Sequence, residues 1–275
     1  MHASRMPAKR MLRSISGALA AIFLAVGIAA AHDTWLLADS GETEIGKPVL
    51  LSLTSGDGFP LDETAIDPVR VVRATVRVGG AEARLPAPQT AAHALRYSWT
   101  PKSEGLAAVA IELAPKTLVL APDKLEEYLG EIDATPKLRA EWKALDGKRK
   151  WIESYSKHAK TFVRVGTRAA DSSWARALGL GLELVPERDP ASLRTGDAIG
   201  ILVLRNGKPL ADFAVGAIHE GSDKAAFART DSSGRARVTL GSAGKWLLNG
   251  TLIRRSANPK LTWESDFTTL TLRVH

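Results

Sequence analysis

The chain has 275 residues and a mass of 29.4 kDa; it is 45% hydrophobic, 24% charged and 6% aromatic. That balance supports packed cores and excludes wholesale disorder. Lys and Arg number 37 against 30 Asp and Glu, but four of the basic side chains, Arg5, Lys9, Arg10 and Arg13, belong to a leader, and without them the formal net charge falls from +7 to +3. A nucleic-acid function argued from charge loses its footing, so no nucleic-acid partner is expected.

The leader is read from its three parts. The four basic residues have no acidic neighbour, Ile15 to Ile28 is apolar, and Ala29-Ala30-Ala31 supplies the small residues of a cleavage site. The apolar run is shorter than the ~20 residues a spanning helix needs. Residues 1–31 are therefore expected to be a signal peptide, with cleavage before His32 and a periplasmic or secreted mature protein. No later stretch is apolar for long enough to span a membrane. Cysteine is absent, and all three methionines, Met1, Met6 and Met11, lie in the leader. The mature chain thus offers no sulfur, which excludes thiolate catalysis, iron–sulfur clusters and Cys zinc sites.

Residues 32 to about 120 read as strands. Pro48–Leu53 is a short apolar run ended by Ser55-Gly56-Asp57-Gly58. Val72, Ala74, Val76 and Val78 alternate with polar residues before Gly79-Gly80, the pattern of a strand entering a two-residue hairpin. Leu95, Tyr97 and Trp99 alternate, and Leu106–Leu113 forms another apolar run. A helical insert is expected over 122–160. Asp123 with Glu126 fits a capping box ahead of Leu125, Tyr128 and Leu129, and Thr135-Pro136 fits an N-cap with proline at the first helical position. Leu138, Trp142 and Leu145 follow at helical spacing. A third helical run carries Trp151, Tyr155 and His158 before a strand at Thr161–Val165.

From about 190 the chain is β again. Asp197–Leu204, Phe213–His219, Ala226–Thr230, Arg237–Leu240, Trp246–Ile253 and Phe267–Val274 are separated by turn residues, among them Asn206-Gly207. The Thr-Asp-x-x-Gly turn at 230–234 resembles the transthyretin-like or carboxypeptidase-regulatory-like module. The expected fold is mainly β: two β-sandwich-like units, immunoglobulin- or transthyretin-like, with a short helical insert. The boundaries are 32–187 for the N-terminal unit and 188–275 for the C-terminal one.

The usual catalytic motifs are absent: no G-x-S-x-G, H-E-x-x-H, Walker loop or G-x-G-x-x-G occurs. The expectation is a protein that is not an enzyme. One feature carries a mechanism. After cleavage His32 offers an α-amine and an imidazole on one residue, and both lose protons near neutral pH. Together they form a bidentate nitrogen chelate suited to Ni(II), Cu(II) or Zn(II). A second imidazole would complete a three-nitrogen site. The candidates are His93 in a loop, His158 at a helix end, His219 on a strand and His275 at the chain end, each of which also has an ordinary structural role.

The segments His32-Asp33-Thr34-Trp35-Leu36 and Gly56-Asp57-Gly58-Phe59-Pro60 resemble an exported family known as domain of unknown function 4198. The likeness continues through Lys124–Leu129, Glu153–Lys160 and Val163–Gly166. It is strongest at Leu178-Gly179-Leu180-Gly181-Leu182-Glu183-Leu184-Val185-Pro186-Glu187 and ends at Trp263–Thr271. The resemblance implies a periplasmic β-rich protein linked to nickel and cobalt uptake of the energy-coupling type, with a membrane metal-uptake transporter as partner. It supplies no catalytic set. Only the terminal histidine maps, onto His32, and the family pattern varies at position 158. Three readings follow: a binding or accessory protein for a divalent metal (nickel, cobalt or copper); a structural or ligand-binding β-sandwich; and a copper-dependent oxidase with a histidine brace around His32.

Overall fold

The structure, a computed structural model, describes residues 32–145, 147, 150–167, 171–222 and 224–275; the leader and its cleavage fall outside them. With 51% strand and 11% helix, the chain is mainly β as expected. The main strands of the first half are Asp33–Ala38 (β1), Val49–Gly56 (β2), Val71–Val78 (β3), Ala81–Arg84 (β4), Leu95–Trp99 (β5) and Gly105–Leu120 (β6). Gly79 and Gly80, with φ of 58° and 84°, join β3 to β4 in the left-handed conformation that a tight hairpin requires. Strands β1, β2 and β5 lie in one sheet, and β3, β4 and β6 in another. Their facing side chains, including Leu36, Leu53, Tyr97, Val76, Val109 and Ile111, interdigitate as the first core.

Two helices follow, Leu125–Glu131 (α1) and Pro136–Lys143 (α2). Thr135 caps α2 as expected: its hydroxyl accepts from the Leu138 amide at 3.2 Å, with Pro136 in the first turn. The capping box expected at Asp123 does not form. Pro122–Lys124 is a 3₁₀ turn running into α1, so Asp123 already sits inside the helical path and no side chain caps the start. The aromatic stripe packs helix on sheet. Tyr128 meets Trp151 edge-on at 5.8 Å, and Trp142 meets the same indole at 5.2 Å.

The third helical run is instead the first part of one long strand, Trp151–Val165 (β7). Trp151, Glu153 and Tyr155 all point inward, and the register shifts between Tyr155 and Lys157. The helical reading failed because residues four apart share a face in either conformation, and because charged residues occupy inward positions where period two demands apolar ones.

The second half supplies Leu182–Pro186 (β8), Ala198–Arg205 (β9), Ala214–His219 (β10), Ala226–Arg229 (β11), Arg235–Thr239 (β12), Gly244–Arg255 (β13) and Trp263–Val274 (β14). Strands β8, β9 and β12 form a small sheet that packs on β10, β13 and β14 through Leu184, Ile201, Val203, Val215, Leu248 and Leu270. Leu182 and Leu184, ahead of residue 188, already belong to this second core. Strand β14 pairs in parallel with β7, from Glu153 opposite Trp263 to Lys160 opposite Leu270. Among the described residues that pairing joins both halves into one nine-stranded sheet, ordered β11-β10-β13-β14-β7-β6-β3-β4, with the short Glu42–Thr43 strand added to β7.

Candidate functional site

His32 stands at the entrance to β1. The antiparallel register of β1 with β2 sets Asp33 opposite Gly56, so the next residue on each side, His32 and Asp57, meet beyond the end of the ladder. The His32 Nε2 lies 3.1 Å from Asp57 Oδ2. The turn that carries Asp57 is wrapped around Glu63, whose carboxylate accepts from the Gly58 amide at 2.5 Å and the Asp57 amide at 3.3 Å. A Cβ at either Gly56 or Gly58 would overlap that carboxylate, which is why glycine flanks Asp57. Beneath the turn, Trp35 packs edge-on against Phe59 at 5.7 Å and both bury against Leu247. The indole and phenyl ring thus fix the turn to β1.

Below the histidine lie two oppositely charged side chains, one of them buried. Lys157 on β7 is 3% exposed; its ammonium donates to the His32 carbonyl at 2.5 Å and to Ser55 Oγ at 3.3 Å. Asp33 accepts from Asn249 Nδ2 at 2.6 Å. Burial pushes the Asp33 carboxyl up to about 6, against the opposing pull of Asn249 and Lys157, and burial pushes the Lys157 ammonium down to about 8.

A divalent metal implied by the resemblance can be tested against these residues. A contact from Nε2 to a carboxylate favours the tautomer with the proton on Nε2, and the lone pair then lies on Nδ1, the ring nitrogen nearer the α-amine. Among the described residues no hydrogen bond engages that Nδ1. With the expected cleavage before His32, the ring nitrogen and the α-amine it would free would fit a chelate. Among the described residues, however, no group of three or more His, Cys, Asp or Glu is placed to hold an ion. The donors beyond His32 would be solvent or a partner.

The structure brings no second imidazole to His32 among the described residues. His93 Nδ1 meets the Glu63 carbonyl at 2.9 Å. His219 Nε2 meets the Ala243 carbonyl at 2.8 Å and its ring lies on Trp246. Thr269 and Thr271 donate to the Thr34 and Leu36 carbonyls, so β14 runs alongside β1 and carries His275 away from His32. His158 does not end a helix. It is buried in β7, with Nδ1 3.2 Å from Glu112 Oε1 and Nε2 3.2 Å from Asp266 Oδ1.

Residues 29–253 match the family described as Domain of unknown function (DUF4198). The chain belongs to this family. No curated protein matches it. Among solved structures, the chain is similar at 10% identity to the mouse nectin-like molecule 4 ectodomain (Ig1–Ig3), with a TM-score of 0.20, covering 88% of this chain and 64%, less than two thirds, of that one. It is similar to trypsin-activated alpha-2-macroglobulin from Escherichia coli at 11% identity and a TM-score of 0.23, covering 86% and 15%. The native form spanning domains MG0-NIE-MG1 gives 10%, 0.22, 88% and 97%. Scores this low carry no functional argument.

The strongest family segment of this DUF4198 chain builds a second buried site that sequence reasoning missed. Residues 176–181 lie on the face of the large sheet opposite the first core, with Leu178 and Leu180 packed on Ala108 and Ala110. Their carbonyls accept from the guanidinium groups of Arg73 and Arg77, from 2.8 Å at Leu178 to 3.5 Å at Gly179. The amides of Leu178, Gly179 and Leu180 donate to Glu183 at 2.8, 2.9 and 3.3 Å, and Lys160 pairs with the same carboxylate at 2.9 Å. Arg73 and Arg77, two of the polar residues that alternate with the apolar ones along β3, tie this segment down. The signal available was the density of glycine and apolar residues in 178–182, a backbone that must find its hydrogen bonds elsewhere than in a helix.

Proposed function

We propose that this DUF4198 protein is an exported, non-catalytic binding or accessory protein that handles a divalent transition metal at its processed amino terminus. The observation that carries the reading is the 3.1 Å contact of His32 Nε2 with Asp57, which leaves Nδ1 and the α-amine as neighbouring donors. In this reading Asp57 orients the ring and His32 supplies both protein nitrogens. The open remainder of the coordination sphere suits exchange with a partner more than permanent storage. A membrane metal-uptake transporter is the proposed partner, on the strength of the family resemblance. That resemblance favours nickel or cobalt, whereas intrinsic preference favours copper. The test is metal analysis of the protein exported and processed in its native host, beside the same protein carrying His32→Ala. Stoichiometric metal in the parent and its loss in the variant support the reading; an equal metal content in both removes it.

A second reading, a structural or ligand-binding β-sandwich, is favoured by the lack of a three-residue ligand group among the described residues. Metal-free parent protein from the host supports that one. The oxidase reading loses support, because a brace needs a second imidazole and His93, His158 and His219 direct ring nitrogens to other partners.

A further inference from the structure

We propose that His158 is a proton-held clasp between the two units, and that loss of its proton loosens the 176–181 segment lying over it. The ring is 5% exposed and sits between Glu112 on β6 and Asp266 on β14 at 3.2 Å on each side. Both ring nitrogens can donate only in the imidazolium form. Charged groups face this centre from every flanking strand. Arg73 on β3 lies 3.5 Å from Glu112 and is itself 2.7 Å from Glu82 on β4. Arg254 on β13 lies 2.5 Å from Asp266 and 3.4 Å from Glu264 on β14. The result is a row of alternating charge across six strands, with the histidine at the parallel seam.

Gly181 closes the site from above. Its amide donates to Glu112 Oε1 at 3.3 Å, and a Cβ there would stand 3.0 Å from the ring Cε1 and 3.3 Å from Nε2. The segment therefore rests directly on the Cε1–Nε2 edge. Deprotonation leaves one N–H for two carboxylates. Asp266 keeps a close arginine, whereas the arginine of Glu112 is 1.0 Å farther from its carboxylate (3.5 against 2.5 Å). The remaining proton stays on Nδ1, facing Glu112, and the Nε2 lone pair then opposes Asp266. The interaction lost is the one that crosses from β7 to β14 beneath Gly181. The neighbouring Lys160–Glu183 pair holds residues 178–180 through their amides.

Burial works against the imidazolium, but the bonds to Asp266 and Glu112 outweigh it and hold the His158 pKa above the ordinary 6.5. A group raised in the folded state stabilises fully below its unfolded pKa and loses that contribution as pH rises through the folded value. The clasp is closed in acid and loosens toward alkaline pH.

The test is amide hydrogen exchange of residues 176–181 in the mature protein across pH 5.5 to 9, corrected for intrinsic exchange, with NMR titration of the His158 ring. Protection is expected to be constant below the ordinary histidine value, to fall by up to about tenfold per pH unit up to the ring's own pKa, and then to level. His158→Gln is expected to give a profile without that step. A ring titrating at or below the ordinary value overturns the proposal, as does a parent profile parallel to that of His158→Gln. If the variant does not fold, coincidence of the parent's ring midpoint and protection step decides in favour, and their separation decides against.

Discussion

Glu183 and Lys160 form an ion pair with 1% and 3% side-chain exposure, and its two halves are not equivalent. Glu183 has four donors: the Lys160 ammonium at 2.9 Å and the amides of Leu178, Gly179 and Leu180. Burial works against this carboxylate, yet Lys160 and the amides outweigh it and hold its pKa below the ordinary range, whereas burial dominates for Lys160 and pushes its pKa down. Glu183→Gln leaves a buried ammonium without a counter-charge, a loss of about 3–5 kcal/mol. Lys160→Met leaves a carboxylate that still accepts three amide bonds, so the loss is about 1.5–3 kcal/mol, the worth of one charged hydrogen bond. For a chain of this length these correspond to melting-point decreases of roughly 6–20 °C and 3–12 °C. Urea denaturation of the mature protein and both variants at pH 7 measures the difference. Equal losses, or a larger loss for Lys160→Met, would refute the claim that the amides of 178–180 carry the carboxylate.

Thr135→Ala is expected to cost about 1 kcal/mol, read as lost exchange protection in the first turn of α2 while β7 is unaffected. Asp33, with its pKa raised to about 6 from 3.8, stabilises the fold below the lower value and loses that contribution as pH rises through the upper one. Asp33→Asn should therefore flatten the fall in urea midpoint between pH 4 and 6; an unchanged slope would place the titration elsewhere. The exported protein should show an intact mass beginning at His32, and a retained Met1 or another first residue would remove the α-amine from the metal argument.

The hairpins were readable because their chemistry is local. Gly79-Gly80, Asn206-Gly207 and the Asp231–Gly234 turn, where Asp231 Oδ1 accepts from the Ser233 and Arg235 amides, form where turn residues predict. Thr135-Pro136 was legible for the same reason. Strand β7 was not, since Glu153, Lys157, His158 and Lys160 are buried and the hydrophobic period they interrupt is the only local signal for a strand. Most of their partners come from far along the chain: Tyr128 and Ser265 for Glu153, Asp266 for His158, Glu183 for Lys160. His32 was found from the cleavage rule alone. Asp57 was in view within a family segment, but its meeting with His32 depends on the register of β1 with β2, which no single segment encodes.

The metal reading is tested most directly by Ni(II) and Cu(II) calorimetric titration of three mature proteins: the parent, His32→Ala, and a form with one extra residue placed before His32. The extension keeps the imidazole beside Asp57 but removes the terminal amine from the chelate. The account predicts one-to-one binding by the parent that weakens as pH falls, because both nitrogens must be deprotonated to bind, and marked weakening in both variants. If both variants bind as tightly as the parent, or the parent takes up neither metal, the amino terminus is not a metal site and the β-sandwich serves as a structural or ligand-binding module.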